Sequence, residues 1–337
     1  MFTMAKFDVV TLGNAIVDVN ARTDDDFLVK NGIIKGAMNL IDADRADMLY
    51  KKMGPAIEVS GGSAANTAAG IANFGGKAAF MGKVAADHLG QVFAHDLSAQ
   101  GVAYDTRLLE NGLGTARCII FNTPDGERSM NTYLGACVEF GPEDIDASKI
   151  LDTKLVYFEG YLWDPPRAKE AMRLAAKLAH ENASEVAITL SDAFCVDRYR
   201  DEFLDLIRNG TVDIVFANEK ELCALYQCEI LQDAVNALRN DITCFACVTR
   251  AENGSLVVAR EETFSVKALP VSTVVDTTGA GDLYAAGFLF GYTNGYSLYD
   301  SAQLGSLAGS IIIQQVGPRA QFSLRDRAIQ EGIIEVS

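Results

Sequence analysis

From Leu155 onward the chain alternates short apolar runs with amphipathic or small-residue stretches, and this rhythm restricts the fold more than any other feature. Leu155-Val156-Tyr157-Phe158 reads as a buried strand, residues 166–182 as an Ala/Leu-rich amphipathic helix, 186–190 as a strand and 198–207 as a helix. A strand at 213–217 runs into a helix from Glu219, and two more strand candidates precede long helices predicted at 279–292 and 299–315. Strands that alternate with helices require right-handed crossovers, which stack them into a parallel sheet covered on both faces. The predicted class is therefore α/β, a layered sandwich around a mainly parallel sheet.

The first half reads differently. Residues 7–13 form an apolar, β-branched strand, and 15–21 and 36–41 read as strands without a helix after each. Residues 115–122 and 127–133 are alternating runs joined by Thr123-Pro124-Asp125-Gly126, a hairpin signature with its turn residues in place. These strands predict an antiparallel flap beside the main sheet, built from segments within about residues 14–60 and 104–140 of one interleaved 1–337 unit. Ser63 is expected to cap a small-residue helix running to Gly75.

Composition narrows the partners. The formal net charge of -16 repels phosphate backbones and anionic membranes, so nucleic acid and membrane partners are not expected. An anionic ligand would have to be met by local backbone dipoles and a metal. Seven cysteines, an odd number scattered over apolar stretches, predict reduced thiols and a cytoplasmic protein. Cys244 and Cys247 form a C-x-x-C, but within a predicted strand they would point to opposite faces, and no second pair or nearby His completes a zinc set. His88, His95 and His180 fall in helix-like stretches without ligand spacing. Residues 1–8 lack the basic-then-apolar pattern of a leader, and no stretch approaches the ~18 uncharged apolar residues of a membrane span.

The chemistry concentrates in Val274-Val275-Asp276-Thr277-Thr278-Gly279-Ala280-Gly281-Asp282-Leu283-Tyr284. An apolar strand is expected to end at Asp276 and pass through small residues into an apolar helix. A helix start offers unpaired N–H groups and the positive end of the dipole, and glycines let an anion come close to them. Asp282 would lie in the first turn, where a carboxylate can take a proton from a hydroxyl while the amides receive developing charge. A bare G-x-G-D would read first as a capped helix with ordinary turn glycines. In the same way Asn66 alone reads as a helix residue and Asp18 as a strand acid.

The full run Asp276 to Asp282 resembles D-T-x-G-A-G-D, the second signature of the ribokinase-like (PfkB) kinases. Gly61-Gly62-Ser63-Ala64-Ala65-Asn66-Thr67-Ala68 is similar to their first signature, a di-glycine followed by an Asn on a helix. Gly13-Asn14-Ala15-Ile16-Val17-Asp18 matches their opening strand, and Asn218-Glu219-Lys220-Glu221 follows a strand as their N-x-x-E motif does. The resemblance spans nearly the whole chain, in the family's order. It implies a ribokinase-like three-layer sandwich with a small β lid, acting as an ATP-dependent kinase on a primary hydroxyl. It implies Asp282 as the base, the amides of Gly279, Ala280 and Gly281 as the anion hole, and Asn14, Asp18, Gly62, Ser63 and Asn66 as contacts to the acceptor's hydroxyls. Asn218 and Glu221 would hold Mg²⁺ through waters, and Thr249 and Gly254 would meet the nucleotide. Backbone oxygens near Asp276 and Thr278, with the late segment Gln315-Val316-Gly317, would form a K⁺ loop.

Two details bear on these expectations. The family's T-x-G-x-x-G appears as Thr249-Arg250-Ala251-Glu252-Asn253-Gly254, with Ala251 in place of the first glycine and so less backbone freedom. Arg128 opens the second hairpin strand and reads as a solvated arginine, with substrate or phosphate as its alternative target. Within the family the chain resembles the adenosine kinases. Leu190-Ser191-Asp192-Ala193-Phe194 is similar to their L-S-x-x-F turn, Ser310 through Gly317 to their S-V-I-I-R-R-x-G helix end, and Thr115-Ala116-Arg117-Cys118 to their T-G-T-C lid strand. A nucleobase would need an apolar slot, for which Tyr161, Trp163, Phe121 and Phe140 are candidates. The resemblance implies a ribonucleoside acceptor. A furanose sugar is the alternative, and a non-catalytic nucleoside-binding homologue, acting as monomer or homodimer like the enzyme, is a third reading. A nicotinamide-dependent dehydrogenase would need G-x-G-x-x-G after the first strand, where Gly13 stands alone.

Overall fold

The computed structural model describes residues 5–335, so the opening stretch 1–8 is described only in part. The first half contributes strands β1 (Phe7–Leu12), β2 (Ile16–Arg22), β3 (Met38–Leu40), β4 (Ala56–Gly61), β5 (Ala78–Met81), β6 (Ala116–Asn122) and β7 (Arg128–Tyr133). Between them lie helices α1 (Asp25–Lys30), α2 (Ala43–Lys52), α3 (Ser63–Asn73) and α4 (His88–Ala99). The second half begins with α5 (Ala147–Ile150) and β8 (Thr153–Glu159), then alternates α6 (Pro166–Glu181), β9 (Glu185–Thr189), α7 (Ala193–Arg208), β10 (Ile214–Asn218), α8 (Glu219–Tyr226) and α9 (Leu231–Asp241). It closes with β11 (Phe245–Thr249), β12 (Ser255–Ala259), β13 (Thr263–Val266), α10 (Ala280–Thr293), α11 (Leu298–Ile312) and α12 (Leu324–Gln330).

Eight strands form the central sheet in the order β13-β12-β11-β10-β9-β8-β1-β5, parallel except for the antiparallel edge β12 and β13. Its strands are apolar on both faces, as a doubly covered sheet requires. One core joins Val9, Phe80, Leu155 and Phe216 to α3, α10 and α11; the other joins Val10, Leu12, Val156 and Ile188 to α6, α7 and α8. Small residues bring the first group of helices together. A Cβ at Gly70 of α3 would meet Ala286 and Leu283 of α10 at 2.6 and 2.8 Å, so only glycine permits that spacing.

The other five strands form a second sheet, β3-β7-β6-β2-β4, whose rear packs on α1 and α2 through Leu28, Leu49, Ile119 and Phe121. The 115–133 hairpin lies in this sheet, with Gly126 at φ 88° in its turn. The chain leaves the central sheet after β1, builds β2 to β4, returns for β5, and leaves again for β6 and β7.

The second sheet is mixed rather than antiparallel, since β2 pairs β6 and β3 pairs β7 in parallel, and α1 and α2 do follow β2 and β3. Four local expectations are also corrected. Residues 274–276 form no strand: the amides of Val275 and Asp276 both donate to the carbonyl of Ile313, at the end of α11, and Val274 and Val275 are 55% and 52% exposed. Gly62, not Ser63, caps α3, because the Ser63 hydroxyl is drawn elsewhere. The helix expected at 198–207 begins at Ala193, capped by Asp192 and kinked at Tyr199. Cys244 precedes β11 rather than sitting in it, so both C-x-x-C residues pack on one core. All seven cysteines are free, and the described residues contain no metal-holding cluster of His, Cys, Asp and Glu. No described helix is long and apolar enough to cross a membrane.

One buried charge pair carries a stability prediction. Lys83 and Asp144 form an ion pair with side chains only 6% and 0% exposed, and Asp144 also accepts the Gly141 amide at 3.0 Å. Asp144→Ala would strand the ammonium in the interior, so a loss of about 3–5 kcal/mol is expected in urea unfolding. Lys83→Met in the same chain should recover much of it. An Asp144→Ala protein with an unchanged urea midpoint would contradict this.

Candidate active site

The C-terminal ends of β1, β8, β9, β10 and β11 open toward the starts of α3 and α10, the edge where open parallel sheets place their ligands. A cavity of about 230 Å³ there is lined by Ser63, Asn218, Glu221, Thr249, Gly279, Ala280, Gly281 and Asp282, among others. Gly254 is not among them. It shapes the β11–β12 turn, where a Cβ would meet the Val266 carbonyl at 2.0 Å. Ala251 in that turn sits at φ 48°, so it keeps the left-handed backbone its missing glycine would take, at a cost of about 1–2 kcal/mol.

Asp282 occupies the first turn of α10 and accepts two side-chain hydrogen bonds from α3. Ser63 Oγ donates at 2.6 Å and Asn66 Nδ2 at 2.8 Å. Burial pushes the Asp282 carboxyl up, against these two donors and the nearby Arg319 charge. Asn66 Oδ1 is buried with no partner, a vacancy that a hydroxyl donor would fill. The Ala280 amide donates back to Thr277 at 3.2 Å, while the Gly281 and Asp282 amides belong to the first turn, whose N–H groups lack helix partners. A Cβ at Gly281 would meet nothing within 4 Å, leaving the backbone open to a phosphoryl group.

The loop after β1 and the start of α3 are joined by a residue that sequence reasoning passed over. Glu159, buried at the end of β8, accepts from the Asn14 amide and Asn14 Nδ2, both at 2.8 Å, and from the Ala64 amide at 2.8 Å. Asn14 thus turns its backbone N–H and one of its two Nδ2 hydrogens to Glu159. Burial raises the Glu159 carboxyl to about 7, with the Ala64 and Asn14 amides opposing and Asp282 adding to the rise. Gly62, at φ 93°, passes so close to Asn14 that a Cβ would lie 2.2 Å from its carbonyl oxygen. Asp18 on β2 is raised to about 6 by burial; Arg128 and Arg319 pull it down, and Asp276 and Asp282 push it up.

On the far side of the cavity, Asn218 and Glu221 lock each other at the start of α8. Asn218 Oδ1 accepts the Glu221 amide at 2.9 Å, and Glu221 accepts the Asn218 amide and Nδ2 at 2.8 and 2.6 Å. Burial raises Glu221 to about 7. Asp276 goes the other way. Against burial, Thr278, the Gly317 amide and Arg128 hold it at about 2. Arg128 is not a solvated hairpin residue: its Nη1 lies 2.8 Å from both Asp276 oxygens and also bonds Thr278, tying the second sheet to the turn before α10. With these donors in place, the Asp276 carboxylate has little left for a monovalent cation.

Of the aromatic candidates for a base slot, Trp163, Phe121 and Phe140 are core residues, and Trp163 donates to Glu202. Tyr161 is half-buried, with its hydroxyl raised by burial and by Asp192. An apolar surface lies elsewhere. Strand register puts Val59, Asp18, Cys118, Thr132 and Leu40 in one row of the second sheet, and Ile57, Asn20, Ile120, Met130 and Met38 in the next row on the same face. Ile57, Leu40 and Met38 are 70%, 60% and 48% exposed.

Comparison with known proteins agrees with this architecture. Residues 8–324 match the model of the pfkB family of carbohydrate kinases. The structure of an adenosine kinase from Sinorhizobium meliloti superposes with a TM-score of 0.91 at 60% identity, covering 97% of this chain and all of that one, 100%. A probable sugar kinase from Rhizobium etli superposes with a TM-score of 0.92 at 58% identity, covering 98% and 100%. The adenosine kinase of Saccharomyces cerevisiae is 28% identical over 332 residues, 92% of this chain and 96% of that protein. A match over nearly the whole chain places it plainly: the chain belongs to the pfkB family of carbohydrate kinases and is an ATP-dependent kinase.

Proposed function

We propose that this chain phosphorylates the primary 5′-hydroxyl of a ribonucleoside, adenosine first among them, with Asp282 as general base. The observation that carries the reading is the pair of donors from Ser63 and Asn66 that aims the Asp282 carboxylate into the cavity at the start of α10. The partnerless Asn66 Oδ1 and the carboxylate of Asp18 are suited to the acceptor's hydroxyls. The apolar rows beside Asp18 give a nucleobase a surface that a free sugar would leave bare. The 60%-identical adenosine kinase of Sinorhizobium meliloti supports the same acceptor. The probable sugar kinase of Rhizobium etli keeps a furanose as the second reading.

In this mechanism the acceptor hydroxyl gives its proton to Asp282 as it attacks. The first-turn amides of α10, Gly281 foremost, receive the charge that develops on the transferred group. Bound Mg-ATP would supply the phosphoryl group, its γ-phosphorus parting from the β,γ-bridging oxygen so that ADP leaves, and the metal would neutralise phosphate charge. Asn218 and Glu221 would hold that metal through waters. A monovalent cation would rely on backbone oxygens near Asp276, Thr278 and residues 315–317, since donors occupy the Asp276 side chain. The free cysteines fit a cytoplasmic site of action.

Asp282→Asn keeps size and one acceptor oxygen but takes no proton, so kcat with adenosine should fall by roughly 10²-fold or more while both KM values change only a few-fold. A helix cap would tolerate the change, because Asn caps as well as Asp. Near-wild-type turnover would return Asp282 to that role. Burial raises the Asp282 carboxyl, and the base works only when ionised. Wild-type kcat should therefore rise with pH along a limb above the ordinary aspartate range, and residual Asp282→Asn activity should lack that limb. Asp18→Ala should raise the KM for adenosine much more than that for ATP; equal effects would remove Asp18 from the acceptor site.

A further inference from the structure

Three consecutive residues between α11 and α12 touch both halves of the site. The Gly317 amide donates to Asp276 Oδ2 at 2.9 Å. Pro318 fills the space beside Gly279, where a Cβ would lie 2.6 Å from its own Cβ. Arg319 then turns to the acceptor wall. Its Nη1 donates to the Ala65 carbonyl at 2.6 Å, and its Nε and Nη2 reach the Ser60 carbonyl at 3.4 and 3.2 Å. Nη2 also lies 3.2 Å from Ser60 Oγ. These partners bracket the Gly61–Gly62 turn, with Ser60 just before it and Ala65 just after. The same turn of α3 carries Ser63 and Asn66, which hold Asp282.

We propose that Arg319 is a positioning residue for phosphoryl transfer, a clamp that fixes the di-glycine turn and keeps the acceptor wall in register with the anion turn at Gly279. The inference rests on the nucleoside kinase reading and extends it to a residue that touches no substrate. A guanidinium suits the task because its planar fork bonds two carbonyls at once, which a lysine ammonium on a flexible stem does poorly. Its charge adds a second effect. Asp18 and Asp282 both feel Arg319, which is itself pushed down to about 10 by burial and up by Asp18, Asp282 and Asp96. The other titratable groups that sense Asp282 are Tyr157 and Glu159 on β8, Tyr161 after it, and Glu221 on α8; Arg128 on β7 acts on Asp18.

The test compares Arg319→Lys and Arg319→Gln with the wild-type chain, using adenosine and Mg-ATP. Losing the bridging bonds should lower kcat/KM for adenosine by about tenfold or more in both variants. The KM for ATP should change less than about threefold, because Gly317 and Pro318 still hold the anion turn. Removing the charge disfavours an ionised neighbour, so the acid limb of kcat should move to higher pH in Arg319→Gln and stay in place in Arg319→Lys. If Arg319→Gln does not fold, the Lys variant decides by its split between the two substrates. Wild-type kinetics in Arg319→Lys, or equal losses toward adenosine and ATP, would overturn the clamp. An inactive wild-type chain would instead remove the nucleoside kinase reading, and the role of Arg319 with it.

Discussion

Asp282 and Asn66 are 216 positions apart in the chain and 2.8 Å apart in the structure. That contact, with the Ser63 bond beside it, requires two helix starts to meet head to head over the edge of the sheet. Both helices therefore need faces of small residues, and Gly70 against Ala286 and Leu283 supplies the closest approach. A carboxylate brought into this partly closed space loses hydration, and the two donors return part of what it loses. The charge is still resisted by burial, which is the condition a general base needs near neutral pH.

The protein's overall charge makes the local arrangement more telling. A chain of net charge -16 repels a nucleotide at long range, so attraction must be built at short range. The first turn of α10 offers such a local dipole, while two arginines offset acidic side chains of the site. Arg128 neutralises Asp276 and Arg319 stands near both Asp18 and Asp282. Four carboxyls, Asp18, Glu159, Glu221 and Asp282, are all pushed upward by burial, and the first three each feel the charge of Asp282, while Asp276 is pulled down by its donors. Like charges gathered in one place cost stability unless a ligand uses them, and such clustering marks functional sites.

Much of this was legible in the sequence because it is locally encoded. The strand–helix rhythm after Leu155 gives the parallel sheet, and Thr123-Pro124-Asp125-Gly126 gives the hairpin of the second sheet. The run to Asp282 marks the start of α10. What escaped was contact between distant segments. Glu159 ends an apolar strand and precedes a glycine, a weak sign of a parallel-strand terminus; its meaning depends on Asn14, 145 residues away. Arg128 read as a solvated arginine and Arg319 drew no reading, because nothing nearby in sequence reveals their partners. Val274 and Val275 looked like strand residues by composition, but the amides of Val275 and Asp276 donate to the Ile313 carbonyl rather than to a neighbouring strand. The large aromatics were drawn into the cores, as their apolar area dictates, leaving the apolar surface near Asp18 to aliphatic side chains.

The central claim is that the site between α3 and α10 transfers phosphate to a ribonucleoside. The most direct measurement is ADP release by the full chain in Mg-ATP with adenosine, other ribonucleosides, ribose and free hexoses offered separately, with phosphorus NMR to locate the new ester. The account predicts fastest release with adenosine or another ribonucleoside, a 5′-phosphate product, and far slower turnover of ribose. Faster turnover of free pentoses or hexoses than of any nucleoside would contradict it.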